Sequence, residues 1–66
     1  MDNNPKLIRL PEVQLLTGLG KTTIYTLERR GQFPQRRKLT PRASAWLEAE
    51  VIAWIESLPI EPRRAS

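Results

Sequence analysis

The apolar residues of this chain change spacing along its length, and each spacing predicts a different element. Leu7-Ile8-Arg9-Leu10 is a short apolar stretch that reads as an extended arm, and Pro11 follows at the place favoured for the first turn of a helix. Val13 and Leu16, with Leu10 in part, then recur at helical spacing, Glu12 suits the positive end of the helix dipole, and Gly18 is placed to end it. A first helix is therefore expected over residues 11–17. In Gly18-Leu19-Gly20 two glycines flank one apolar plug, which predicts a sharp turn. A second helix is expected over residues 21–30, weakly capped by Gly20 and stopped by Gly31. Ile24, Leu27 and one side of Tyr25 face inward there, leaving Lys21, Thr22, Thr23, Thr26 and Arg29 on the opposite face.

Phe33-Pro34 ends the helical pattern, with Phe33 as a core anchor. Residues 36–39 and 44–46 then read as two strands around Thr40-Pro41-Arg42-Ala43, where Pro41 fits the second position of a β-turn. Two strands alone are barely stable in water, so Leu39 and Trp46 are expected to lean onto the helices. Leu47, Val51, Trp54, Ile55 and Leu58 predict a third helix over residues 47–58, with Glu48 and Glu50 in its first turn and Pro59 beyond its end. The expected class is mainly α: a winged helix-turn-helix of three helices with a small two-stranded hairpin. Residues 7–58 form the domain, between a flexible lead (1–6) and a flexible tail (59–66).

The chain has 66 residues, no cysteine and no histidine. A chain this short buries only about 60% of the surface its unfolded form exposes, so its stability has to come from close packing. Without those two residue types the commonest general base, thiolate nucleophile and zinc ligands are missing, and Glu48, Glu50 and Glu56 read as solvated helix surface. No enzyme, metal site or cofactor is expected. Gly18-Leu19-Gly20-Lys21-Thr22 lacks the spacing of a phosphate-binding loop. The polar opening is unlike a secretory leader, and no apolar run approaches the ~20 residues of a membrane span. A cytoplasmic, nucleoid-associated protein with no membrane partner is expected.

Net charge is +4 with a pI near 10.4, and its distribution is more informative than its sum. Residues 21–42 carry Lys21, Arg29, Arg30, Arg36, Arg37, Lys38 and Arg42 against Glu28 alone, a balance of 7 − 1 = +6. On the second helix, Thr22, Thr23 and Thr26 lower helix propensity without filling a core, but they suit contact with base edges or thymine methyls. Lys21 at the helix start suits a phosphate or base contact. Arg29 and Arg30 suit the helix C-terminus, and at least one of them suits phosphate as well. Arg36, Arg37, Lys38 and Arg42 crowd four cations into seven residues around a turn, a repulsion that a nucleic-acid backbone or minor groove relieves. Tyr25 serves equally well as core or as a phosphate contact, whereas Trp46 and Trp54 read as core. The reading is a double-stranded DNA binder with a recognition helix in the major groove and a basic wing.

With these residues in place, the chain resembles the AlpA-type phage regulators and the related excisionase-like domains, which share a MerR-like winged helix. The matching string runs through Arg9-Leu10-Pro11-Glu12-Val13, Thr17-Gly18-Leu19, Thr22-Thr23-Ile24-Tyr25, Gly31-Gln32-Phe33-Pro34, Lys38-Leu39, Arg42 and Trp46 to Glu50-Val51-Ile52-Ala53-Trp54-Ile55. The resemblance implies a bacterial or prophage protein, either a transcriptional regulator or an excision factor that assists an integrase by cooperative binding and bending of DNA. By position it implies that Lys21, Thr22, Thr23, Tyr25, Thr26 and Arg29 enter the groove, and that Arg37, Lys38, Arg42 and Ser44 lie along the wing. Gly20 stands where such domains often carry a serine cap, and Thr40-Pro41 replaces a commonly glycine-containing wing tip. A protomer this small covers little DNA, so dimers or several copies on repeated sites are expected to supply affinity. The reading from a different class is a small protein-interaction adaptor, whose second helix would meet an acidic protein surface.

Overall fold

The computed structural model describes residues 6–61. Elements follow in the order β1 (Leu7–Ile8), α1 (Leu10–Thr17), α2 (Lys21–Arg29), β2 (Arg37–Thr40), β3 (Ala43–Leu47) and α3 (Glu48–Glu56). The three helices and the basic hairpin are where periodicity placed them. The expected lead and tail fall mostly outside the described residues, which include only Lys6 of the first and residues 59–61 of the second.

The sheet has three strands, not two, in the antiparallel order β1-β3-β2. The apolar arm is its third strand: Leu7 pairs with Leu47 and Ile8 with Trp46, and the Glu48 N–H donates to the Lys6 carbonyl at 2.8 Å. Two residues show no alternation, so nothing in the pattern distinguished a strand from a loose arm. Pairing them gives β3 a neighbour on both sides and places Ile8, 1% exposed, in the core.

Every element but β2, and the α2–β2 connection, gives a buried apolar residue to that core: Ile8, Val13, Ile24, Phe33, Trp46 and Val51. Leu10, Leu19, Tyr25, Leu27, Trp54 and Ile55 pack around them as half-buried side chains. Both indoles have their N–H satisfied by the α2–β2 connection: Trp46 Nε1 donates to the Pro34 carbonyl at 3.1 Å and Trp54 Nε1 to the Gln32 carbonyl at 2.8 Å. Phe33 meets Trp54 edge to face at 4.7 Å between centroids. The connection is thereby fastened to β3 and α3.

Three leucines expected inside are not. Leu16 is 43% exposed, because the inner stripe of α1 is Leu10, Val13 and Thr17, and the Thr17 hydroxyl turns back to the Val13 carbonyl at 2.8 Å. Leu39 is 42% exposed at a register shift between Lys38 and Thr40, where the ladder is interrupted and Leu39 has no cross-strand partner. Leu58 is 44% exposed because α3 ends at Glu56, and Ser57 ties off the last turn through Oγ to the Trp54 carbonyl at 2.7 Å. The residue before a proline is driven out of the α region, so Leu58 could not extend the helix into Pro59. Leu47, expected to begin α3, belongs to β3 and serves as the α3 N-cap.

Candidate nucleic-acid interface

Helix α2 is held by its ends and by one face. Gly20 caps its start in an extended conformation with no side-chain bond. At its other end Gly31 takes φ +73°, with Gly31 N–H to the Glu28 carbonyl at 3.0 Å and Gln32 N–H to the Leu27 carbonyl at 2.8 Å. This is the paired closing bond of a Schellman motif, which needs a left-handed residue at that position. Ile24 is buried, and Tyr25 and Leu27 are half-buried beside it, so Lys21, Thr22, Thr23 and Arg29 stand exposed with Thr26 half-exposed among them. Arg30 is the exposed C-cap residue.

The β2–β3 hairpin turns through Pro41 and Arg42. Among the described residues only Gly18 and Gly31 have positive φ, so this tip needs no glycine. Instead the Thr40 hydroxyl accepts the Arg42 N–H at 3.1 Å, which holds the turn from inside.

Between α2 and the hairpin runs a groove in two lobes. One, of about 620 Å³, is lined by Tyr25, Glu28, Arg29, Gln35, Arg36, Lys38 and Ser44. The other, of about 470 Å³, shares Tyr25, Arg36 and Ser44 and adds Arg9, Leu10, Pro11, Arg42 and Trp46. Two of the shared residues are stacked: the Arg36 guanidinium lies 4.8 Å from the centre of the Tyr25 ring. Glu28 holds that arginine in place. Buried at 7% exposure, it accepts the Arg36 backbone N–H at 2.8 Å and pairs with Arg36 Nε at 3.4 Å. Gln35 Nε2 donates to the Glu28 carbonyl at 2.9 Å, so the last turn of α2 fixes where β2 begins.

Ion pairing sorts the expected contact residues. Among the described residues, Lys6, Arg36 and Arg37 pair with Glu48, Glu28 and Glu50. Arg9, Lys21, Arg29, Arg30, Lys38 and Arg42 have no carboxylate of a described residue within 4.0 Å. Tyr25, Arg29, Arg36, Lys38, Arg42 and Ser44 come together around the groove, whereas Lys21, Thr22, Thr23 and Thr26 stand on α2 outside its lining. Arg37 departs from the group. Its Nη2 binds Glu50 Oε2 at 2.7 Å, over a separate hollow lined by Pro34, Gln35, Ala53 and Trp54 on the α3 side. Strand alternation sends neighbouring side chains to opposite faces, and Arg37 and Lys38 divide accordingly.

Glu28, Gln35 and Arg9 line this site but were not among the contact residues expected from the sequence. Glu28 had a signal, being the lone acid among seven cations. Arg9 had none, since it reaches the groove only because β1 pairs with β3. No cluster of His, Cys, Asp or Glu suited to a metal occurs among the described residues, and no described helix is long and apolar enough to cross a membrane.

Residues 6–59 match the family described as prophage CP4-57 regulatory protein (AlpA). An uncharacterized protein, ORF88, of Enterobacteria phage P4 is 46% identical over 50 residues, covering 76% of this chain and 57% of that protein. The match thus spans little more than half of the phage protein's length. The DNA-binding transcriptional activator AlpA of Escherichia coli (strain K12) is 32% identical over 56 residues, covering 76% of this chain and 80% of that protein.

Proposed function

The chain belongs to the AlpA family of prophage regulatory proteins, and on that footing we propose that it is a sequence-specific DNA-binding regulator of phage type. The observation that carries this reading is the groove beside α2, where Arg29, Lys38 and Arg42 converge without carboxylate partners among the described residues. Uncompensated cations on the two walls of one concavity fit a phosphate ridge better than they fit a solvated surface. In this reading the exposed Thr22, Thr23 and Thr26 face of α2 enters the major groove, Lys21 and Arg30 meet phosphates at its two ends, and the β2–β3 wing follows the backbone or the minor groove. Residues 7–58 act as the binding domain, and the site of action is the bacterial cytoplasm.

A protomer with one recognition helix covers one stretch of groove, so several copies on repeated sites supply useful affinity. That arrangement also suits an excision factor that bends DNA beside an integrase. The two roles use the same face and differ in where the sites lie and how far the duplex bends. Selection of bound fragments from a pool of the source genome, for the parent and for Thr23→Ala, tests the reading. The parent is expected to enrich a short motif, and Thr23→Ala to blur it. A site beside a promoter assigns regulation, and one beside an attachment site with a bend assigns excision. Equal recovery of all fragments by both proteins contradicts sequence-specific binding and turns the search to an acidic protein partner.

A further inference from the structure

Arg9 lies outside both the helix and the wing, yet it reaches the same groove. It is the N-cap residue of α1, with extended backbone (φ −94°, ψ 172°), and its side chain makes no capping bond. Its carbonyl accepts the Val13 N–H at 3.0 Å, and the strand just before it is paired to β3, so the backbone is fixed on both sides while the guanidinium is exposed. The same lobe is lined by Arg42 of the wing tip, by Arg36 and by the half-buried Ser44. The nearest acid in sequence, Glu12, lines a different hollow with Ile8, Leu15, Leu16 and Glu48. Among the described residues, nothing neutralises Arg9.

We propose that this lobe is a seat for one backbone phosphate of duplex DNA, gripped by Arg9 at the start of α1 with Arg42 facing it from the wing. The inference rests on the DNA-binding reading above and adds a third contact element to it. The lining favours phosphate over a base edge. Its other members are Leu10, Pro11, Trp46 and Tyr25; three guanidinium groups lining one hollow suit a single anion, and the amide and carboxylate side chains that read adenine or cytosine edges are absent. In this seat Arg9 contributes affinity and register, not sequence preference.

The test is the salt dependence of binding to one bound fragment and to one unrelated duplex, for the parent, Arg9→Gln and Arg9→Lys, each checked for an unchanged melting curve. Loss of one phosphate contact makes the plot of log K against log salt shallower by about 0.9. Arg9→Gln is expected to show that change and a several-fold weaker affinity on both duplexes alike, with Arg9→Lys close to the parent. A parent-like slope for Arg9→Gln, or an equal loss in Arg9→Lys, overturns the seat while leaving the helix-and-wing reading intact. A parent with no salt-dependent duplex binding overturns both.

Discussion

Among single residues, Glu28 does most to shape the groove. A carboxylate at 7% exposure next to a proposed DNA surface looks misplaced until its partners are counted, because it accepts the Arg36 N–H and pairs with the Arg36 side chain. It therefore acts on the groove through Arg36, setting the guanidinium against Tyr25. Removing it leaves a backbone donor and a cation without their acceptor, and hydrogen bonds to charged groups are worth roughly 1.5–3 kcal/mol each. Glu28→Ala is expected to lower stability by about 2 kcal/mol. For a domain of this size that is a fall in Tm of roughly 8–16 °C, measured by circular dichroism. Glu28→Gln, which keeps an acceptor, should lose less. Gly20 offers the opposite case. Nothing lies within 4 Å of a Cβ built there, and the cap has no side-chain bond. Gly20→Ser is expected to raise stability by a few tenths of a kcal/mol, read as a small rise in Tm.

At the scale of elements, what periodicity can encode was legible, and what depends on pairing was not. The helices, the Pro41 turn and the glycine stop at Gly31 follow from spacing and backbone preference, and all are present. The third strand was hidden in a two-residue stretch. The bulge that exposes Leu39 is set by cross-strand register, which no single strand carries. Stability measurements separate these cases. Ile8→Ala removes a side chain 1% exposed at the heart of the core and is expected to cost about 2–5 kcal/mol in urea unfolding. Leu39→Ala, at a residue 42% exposed, should cost about 0.5 kcal/mol or less. A large loss at Leu39 would mean that Leu39 packs on the helices alongside Trp46, which is buried there. The candidate site divides similarly. Charge density picked out the hairpin cations, but only the fold reveals that Arg37 turns to Glu50 on the α3 side while Lys38 lines the groove. Arg42→Ala is accordingly expected to weaken duplex affinity several-fold more than Arg37→Ala, measured by fluorescence anisotropy.

At the scale of the molecule, charge is segregated by surface as well as by sequence. Glu48 and Glu50, with Glu28, take up three of the nine described cations, and the six with no partner among the described residues lie in or beside the groove and along α2. Family membership supports reading that surface as a DNA contact, and the proposed cooperative copies follow from how little duplex one such surface spans. Protection of a single isolated half-site at full affinity in a footprint would remove the need for those copies. The cations without a described carboxylate partner are expected to meet backbone phosphates, and the salt dependence of duplex binding by the parent protein measures how many do. If Lys21, Arg29, Arg30, Lys38 and Arg42 each neutralise one phosphate, log K falls with log salt at a slope of about −4.5, steepening to about −5.4 with a sixth at Arg9. A slope near zero would contradict the account, because binding that releases no counterions does not use this groove.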